Sequence, residues 1–266
     1  MSKKIHVSDI LTTVEELTDD LLMKDEGVQM GDPKKPVTKA TVCWTASRNA
    51  LLSAEQNGSD LVICHESLFY PYDSTLKEGQ TQDWEAWPTN RKRREIIERS
   101  GIALARVHGS ADKISIFDHF AEMLELGKPA FGTGWYKVYD IEPTPISKIL
   151  TSAKKAVGMD HVRTSCTDDD LDQKVSRVGL PWGGLGIMFN VSYQQWLIEQ
   201  NCDILIAGEA DSYGFRFAAE IGIPMIETSH EGSEIPGLRR FTDMLAEKHP
   251  EVSFDFYDNG CIWRWV

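Results

Sequence analysis

Short apolar runs of strand length alternate with segments of helical periodicity along almost the whole chain. Runs such as DLVIC at 60–64, CDILIAG at 202–208 and IPMIET at 223–228 have apolar centres, as expected of strands that are buried on both faces. Segments in which apolar residues recur every three or four positions alternate with these runs, and after DLVIC a polar, turn-rich surface segment at 71–90 comes first. This alternation predicts an α/β fold with mostly parallel mixed sheets flanked by helices.

The same pattern predicts the positions of the individual elements. The predicted helices are 7–22 behind a Ser8 cap, 49–56, 91–99, 116–126, 145–157, 191–200, 215–221 and 235–248. The predicted strands are 39–44, 60–64, 102–108, 136–141, DQKVSRVG at 172–179, 202–208, 223–228 and 252–256. With 266 residues the chain is long enough for two lobes, and we predict one lobe of residues 1–127 with 232–266 and an inserted lobe of residues 128–231.

The negative net charge of the chain argues against polyanionic binding partners. A net charge of −13 argues against nucleic acid or an anionic membrane, since both would repel the protein unless it had a concentrated basic face. The basic run Arg91-Lys92-Arg93-Arg94 opens a predicted helix. We interpret it as a solvated helix face, with an anion site as the alternative.

The cysteines and the N-terminal sequence indicate a cellular compartment. The five cysteines form no C-x-x-C pair, so neither a disulfide framework nor a thiolate zinc site is supported, and a reducing cytosol fits. The start MSKKIHVSDIL has no apolar signal core, and no segment approaches the roughly 18 apolar residues of a membrane span. We therefore expect a cytoplasmic protein with no membrane anchor.

Metal-capable side chains follow four of the predicted strands. Parallel strands bring their carboxyl ends to one edge of a sheet, where functional groups gather. One histidine there is usually a hydrogen-bonded structural residue, but four such endings favour a shared site. The residues are His65 with Glu66, His108 with Asp112, Glu209, and His230 with Glu234.

His230 and Glu234 stand four positions apart in SHEGSEIPGL. This spacing places both on one face of a helix that begins early, or aims both from the first turn of a helix capped by Ser233. Imidazole and carboxylate ligands without thiolate suit Zn, Mn or Fe(II), and bridging carboxylates permit one or two divalent ions. The alternative is that Glu234 complements the positive end of the helix dipole.

Five segments together carry a resemblance to a known family. They are DEGVQMGDP at 25–33, GSDLVICHESLFY at 58–70, VHGSAD at 107–112, GEADSY at 208–213 and SHEGSEIPGL at 229–238. In this order and over nearly the whole chain they resemble the Nif-three-like dinuclear-metal-centre family, whose members often carry the name type-2 GTP cyclohydrolase I. The resemblance implies the two-lobed Nif-three-like fold.

The resemblance also implies a ligand set. In the family a His-His pair ends a strand, an H-T-x-x-D motif follows the next strand, and a His and a Glu four apart complete two metal sites. The matching ligands in this chain are His65, Asp112, His230 and Glu234. His108 matches the first position of the second motif and is expected near the metal site.

Glu66 stands where the family pair has its second histidine. As a metal ligand it would add negative charge and a hard oxygen, which favours Mn, Fe(II) or Mg over Zn at the second position. The alternative is that Glu66 turns aside to bond a nearby amide, so that one metal remains. Two further departures are Gly109 in place of the motif's threonine and Ser229 in place of a glycine.

The resemblance implies a metal-dependent hydrolase that acts through metal-activated water on a small-molecule substrate, with a nucleotide such as GTP as a candidate. Glu209 and Glu66 are the candidate catalytic proton shuttles, and the alternative for Glu209 is to orient His230. A homo-hexamer is implied as well. The competing hypothesis is a noncatalytic metal-binding oligomeric assembly or regulatory protein, because a fold does not assign chemistry.

A glycine-rich segment, LPWGGLG at 180–186, precedes the predicted helix 191–200. Its backbone amides could hold a phosphate in a nucleotide-binding module. The chain has no G-K-[ST] ending and no G-x-G-x-x-G, so the pattern favours a tight turn.

Overall fold

The computed structural model describes residues 4–71, 83–264 and 266. Its chain divides into two compact units. The first unit is Met1–Ser115 with Leu238–Gly260, and the second is Ile116–Gly237 with Cys261–Val266. The lobes that we predict from the sequence stay a prediction. Among the described residues, no helix has the length and apolar character that crossing a bilayer requires.

Helices and strands alternate along the chain, which confirms the α/β fold class. The helices are α1 (Val7–Thr18), α2 (Arg48–Gln56), α3 (Pro88–Ser100), α4 (Gly109–Ala111), α5 (Phe117–Met123), α6 (Ile146–Val157), α7 (Val191–Glu199), α8 (Ser212–Ala219) and α9 (His230–Lys248). The strands are β1 (Gly27–Met30), β2 (Lys39–Cys43), β3 (Leu61–Cys64), β4 (Ala103–Arg106), β5 (Phe131–Thr133), β6 (Tyr136–Pro145), β7 (Arg163–Thr164), β8 (Lys174–Gly179), β9 (Ile204–Ala207), β10 (Met225–Glu227) and β11 (Ser253–Tyr257).

The first unit contains a five-stranded sheet in the order β1-β4-β3-β2-β11. The pairs β4–β3, β3–β2 and β2–β11 are parallel, and β1 runs antiparallel to β4. Every residue of β3 and β4 is buried, as the apolar runs predicted. Helices α2 and α3 pack Leu51, Ile96 and Ile97 into the apolar cluster beside these strands.

The second unit contains a six-stranded sheet in the order β5-β6-β8-β9-β10-β7. Among the strand pairs of the described residues, this sheet has two parallel pairs, β8–β9 and β9–β10, so it is less parallel than the sheet of the first unit. Antiparallel pairs join β5 to β6, β6 to β8 and β7 to β10. The central strand β9 is buried at every position, which matches its uninterrupted apolar sequence.

One predicted cap and one predicted helix start were wrong. Helix α1 begins at Val7 as predicted, but Ser8 lies inside its first turn and His6 is the cap residue; the backbone N–H of His6 donates to Asp9 Oδ2 at 2.8 Å. Helix α9 begins at His230 rather than at 235, although Pro236 lies in its interior. This early start is the first of the two alternatives for His230, and it excludes Ser233 as the cap.

Candidate metal centre

The register of the first sheet fixes where its polar residues lie. Cys43 pairs with Cys64, and Cys64 pairs with Arg106, so β2, β3 and β4 end in one row. His65 follows this row directly and His108 follows it two residues later. The parallel strands therefore deliver both histidines to the same edge of the sheet, as the sequence predicted.

His65, Glu66 and His108 form one cluster at this edge. A ligand-capable atom of each residue lies within 4.8 Å of those of the other two. His65 is fully buried and Glu66 nearly so, whereas His108 is half-exposed. The two imidazole rings meet edge to face, with their centroids 4.9 Å apart.

A hydrogen bond orients the ring of His65. Its Nδ1 lies 3.2 Å from the carbonyl oxygen of Val107, which can only accept, so Nδ1 donates; in the neutral imidazole, Nε2 then carries the lone pair. Nε2 lies 3.9 Å from Oδ1 of Asp112. Two ligands of one metal, each bonded at about 2 Å in tetrahedral geometry, lie about 3.3 Å apart. Small side-chain adjustments would bring both atoms onto one ion.

Asp112 occupies an unusual piece of backbone. It opens a π-helical turn, Asp112–Ile116, that directly follows the short helix α4. Its backbone N–H donates to the carbonyl of His108 at 3.1 Å. Turns of this kind recur at functional sites, and here the turn places a nearly buried carboxylate next to His65.

Glu26 is a supporting residue that the sequence reasoning did not identify. Its carboxylate accepts hydrogen bonds from the backbone N–H of His108 at 2.7 Å and from the N–H and hydroxyl of Ser110 at 2.8 and 2.6 Å. It also accepts from the N–H of Met23 at 2.8 Å. Glu26 precedes the antiparallel strand β1, whose amino end therefore lies at the edge where the parallel strands end. The only signal for it was the segment DEGVQMGDP.

Asp25 supports the same edge through two basic groups. Its Oδ2 lies 3.3 Å from Nδ1 of His108 and 2.7 Å from Nη1 of Arg106. The hydrogen bond from His108 and the charge of Arg106 together outweigh burial and hold the pKa of Asp25 at about 2. Arg106 in turn donates through Nε to the carbonyl of His65 at 3.1 Å. An ionised Asp25 thus braces both histidines.

The second unit holds a second cluster at the carboxyl edge of its parallel strands. Glu209 follows β9, and His230 follows β10 at the start of α9. Nδ1 of His230 lies 3.0 Å from Oε2 of Glu209, and Nε2 lies 3.3 Å from Oε1 of Glu234. Glu234 is buried and His230 is largely so. The four-residue spacing therefore puts both side chains on one helix face.

The glycine-rich turn at 180–186 forms a wall of this second cluster. A Cβ on Gly183 would lie 2.0 Å from Oε1 of Glu234, and one on Gly184 would lie 3.3 Å from Cε1 of His230. The N–H of Gly183 donates to the hydroxyl of Ser233 at 2.9 Å. That amide therefore links the turn to helix α9, while the N–H of Leu185 donates to the carbonyl of Trp182 at 2.9 Å within the turn itself.

The chemistry of the donors fits a divalent cation. When Nδ1 of His230 donates its proton to Glu209, Nε2 and the Glu234 carboxylate face each other as two electron-pair donors. Such a pair is mutually repulsive unless a proton or a cation lies between the two atoms. Glu209 is placed as the carboxylate partner that metal-ligating histidines commonly have. His65 has a carbonyl in the equivalent role.

The structure therefore gathers the predicted site residues into one group in each unit. The group in the first unit is His65, Glu66, His108 and Asp112, and the group in the second unit is Glu209, His230 and Glu234. The sequence reasoning missed the supporting residues Asp25 and Glu26, and it considered Ser233 only as a helix cap. Their contacts depend on tertiary packing, which no local pattern displays.

Comparison with known proteins identifies the family of the chain. The family model of Duf34/NIF3 (NGG1p interacting factor 3) matches residues 5–259. The chain belongs to this family. The family match confirms the resemblance that the five sequence segments indicated.

Curated relatives of the chain share a name. A protein of Lactococcus lactis called "GTP cyclohydrolase 1 type 2 homolog" is 26% identical over 190 residues, which is 69% of this chain and 68% of the relative. A protein of Methanocaldococcus jannaschii with the same name is 23% identical over 226 residues, 83% of this chain and 85% of the relative.

Solved structures share the fold over their full length. A Bacillus cereus protein related to NIF3 superposes with a TM-score of 0.78 at 15% identity and full coverage of both chains. Reduced HcgD from M. jannaschii superposes with a TM-score of 0.74 at 20% identity, covering 96% of this chain and 99% of that one. At such identities the likeness shows the fold alone.

Proposed function

We propose that this chain binds one or two divalent metal ions (Zn, Mn or Fe) and acts as a metal-dependent hydrolase on a small-molecule substrate. The observation that carries the proposal is the pairing of oriented histidines with buried carboxylates in each unit. The name shared by the curated relatives makes a nucleotide such as GTP the first substrate to test.

The proposed ligands are those that the family resemblance implies. His65 and Asp112 would serve in the first unit, and His230 and Glu234 in the second, with Glu66 as a further ligand for a second ion. A bound divalent ion supplies a Lewis acid and lowers the pKa of a bound water toward neutrality. His108 is held beside the proposed ligands by Glu26 and Asp25.

The protein's own carboxylates supply the remaining chemistry in this proposal. Glu209 is half-exposed and hydrogen-bonded to Nδ1 of His230, so it can hold that imidazole in the ligating tautomer or take a proton from an attacking water. Glu66 is the second candidate for proton transfer if it does not ligate metal. Its burial in the cluster keeps bulk water away from it.

A turnover assay tests the hydrolase proposal. Purified, metal-reconstituted protein is given a panel of nucleotides and phosphoesters, beginning with GTP, and products are separated by chromatography. We expect turnover of at least one compound, with a loss of at least 100-fold in His65→Ala and in His230→Ala. If no compound is turned over although the protein retains its metal, the result would instead support a noncatalytic metal-binding assembly or regulatory protein.

Glu66 decides how many ions the protein can hold. We expect wild type to bind a second ion through the Glu66 carboxylate, with a preference for Mn or Fe(II). Elemental analysis of wild type, Glu66→Gln and Glu66→His separates the alternatives. Equal stoichiometry in all three would show that Glu66 is not a ligand. A rise from one ion to two only in Glu66→His would show that the natural site is mononuclear.

We also propose a homo-hexamer on the basis of the family resemblance, and a cytoplasmic location on the basis of the cysteine pattern. Light scattering at micromolar concentration tests the assembly. A monomer would contradict it.

A further inference from the structure

The basic run Arg91-Lys92-Arg93-Arg94 does not form a uniform solvated face. Arg93 is buried, and its guanidinium donates to the carbonyl of Leu68. The guanidinium of Arg94 lies 5.4 Å from the centre of an aromatic ring. Lys92 is exposed and lines a groove between α2 and α3. The run thus combines the packed Arg93 and Arg94 with two exposed cations, Arg91 and Lys92, of which Lys92 lines the groove.

The groove is built from one stripe of each helix. Its volume is about 310 Å³, which is at the small end of ligand-binding sites. Its lining residues are Arg48 and Leu52 of α2 and Lys92, Glu95, Ile96 and Arg99 of α3. They recur at spacings of three, four and seven residues, so each set lies on one helix face. Leu52 and the buried Ile96 give the groove an apolar part.

An ion pair marks one end of the groove. Nε and Nη2 of Arg99 donate to the two carboxylate oxygens of Glu55 at 2.8 and 2.6 Å. This bidentate geometry neutralises Arg99. Glu55 and Arg99 lie seven residues beyond Arg48 and Lys92 respectively, which is about 10 Å along each helix.

The other end of the groove carries two cations of like charge. Arg48 and Lys92 come from different helices and line the same groove. Neither takes part in an ion pair with any residue among 4–71, 83–264 and 266. Both side chains are exposed, in a chain whose net charge is −13. An anion in this part of the groove would be attracted by both charges.

We propose that this end of the groove binds the phosphate group of a small phosphomonoester. A guanidinium presents two parallel donors to phosphate and an ammonium adds a point charge, so Arg48 and Lys92 supply complementary contacts. Leu52 and Ile96 cover the carbon part of the ligand, which favours an organic phosphate over the free ion. Glu95, which also lines the groove, limits the total negative charge that the ligand can carry. The site is independent of the proposed hydrolase activity.

Calorimetric titration with phenyl phosphate tests the site. The protein forms are wild type, Arg48→Gln/Lys92→Gln, and the control Lys148→Gln, which removes an exposed lysine of α6. Inorganic phosphate and phenol serve as partial ligands. Each titration is run with metal-loaded and with chelator-treated protein, because a metal centre also attracts phosphate. Thermal unfolding verifies that every form is folded.

We expect wild type and Lys148→Gln to bind phenyl phosphate equally and more tightly than either partial ligand, with or without metal. The double variant should bind at least tenfold more weakly, and added salt should weaken wild-type binding because the contact is ionic. Unchanged binding in the double variant would overturn the proposal. So would binding that disappears on chelation, since that would assign the phosphate to the metal centre.

Discussion

Ser229 shows how one residue can carry opposing effects. It has a positive φ of 83°, a left-handed backbone that favours glycine, at a position where the resemblance implies glycine. Its hydroxyl nevertheless accepts from the N–H of Gly232 at 2.9 Å and so caps helix α9.

Substitutions at Ser229 separate strain from capping. Ser229→Ala keeps the strained backbone and loses the cap, so we expect the free energy of unfolding to fall by about 1 kcal/mol. Ser229→Gly relieves the strain, which offsets the lost cap, so its stability should stay within about 0.5 kcal/mol of wild type. Urea unfolding measures both. Equal destabilisation by alanine and glycine would contradict this account.

The backbone from His108 to Ser110 is held by the carboxylate of Glu26. Glu26→Ala would remove four hydrogen bonds. Three come from the N–H of His108 and from the N–H and hydroxyl of Ser110, and the fourth comes from the N–H of Met23. Because these bonds involve a charged acceptor and partly buried donors, we expect a loss of about 3 kcal/mol in unfolding free energy. Metal affinity should fall as well. The control is Glu16→Ala on the exposed face of α1. If the two variants were equally stable, Glu26 would not be needed to hold the backbone from His108 to Ser110.

At the scale of elements, the turn that walls the second cluster offers a matched pair of glycines. Gly183 and Gly158 both have left-handed φ values, 52° and 65°, but a Cβ on Gly158 meets nothing within 4 Å. Alanine should therefore cost each about 1 kcal/mol of backbone strain. Only Gly183→Ala also displaces the Glu234 carboxylate.

We expect Gly183→Ala to weaken metal binding at least tenfold while Gly158→Ala leaves it unchanged. Titration with a metal-competing chelator measures both affinities. Equal affinities would show that the turn does not shape the second cluster.

Asp60 joins the starts of β2 and β3. Its Oδ2 accepts from the N–H and hydroxyl of Thr38, both at 2.8 Å, and from the N–H of Lys39 at 3.2 Å. Burial is the largest single influence and raises the pKa of Asp60, but the hydrogen bonds from Thr38 and Lys39 outweigh it, and the net pKa is lowered.

The lowered pKa sets the direction of a pH effect. Because the folded pKa lies below the unfolded value of about 3.9, Asp60 contributes stability above about pH 4 and loses it as the pH falls further. Asp60→Asn should be less stable than wild type at about pH 7, and the difference should shrink at about pH 3. Urea midpoints at the two pH values measure it. If the stability difference between wild type and Asp60→Asn were the same at both pH values, the ionisation of Asp60 would not be its cause.

The sequence predicted those elements whose signal is local. The apolar runs ending at Cys64, Arg106 and Ala207 located β3, β4 and β9, and the side chains after them located both clusters. Strand β1 was not predicted because GVQM is short and only half-buried, and the neighbouring Glu26 was missed for the same reason. The early start of α9 was obscured by Gly232 and Pro236, which interrupt a helical pattern.

For the whole molecule, metal binding should add to folding stability. An ion that binds the folded chain and not the unfolded chain stabilises it by about 4 kcal/mol when its concentration is about 1,000 times Kd. We expect added Mn or Zn to raise the thermal midpoint of wild type. His65→Ala should lose that rise. An equal rise in His65→Ala would mean that the stabilising ions bind elsewhere.

The most direct test of the metal centre is elemental analysis of purified protein after dialysis against a weak chelator. The forms are wild type, His65→Ala, His230→Ala and the control His119→Ala, a partly exposed histidine of α5 paired with Glu122. We predict one or two equivalents of divalent metal per chain in wild type and in His119→Ala, and a loss of at least one equivalent in each of the other two. Equal metal content in all four proteins, or none in wild type after reconstitution, would contradict the metal centre.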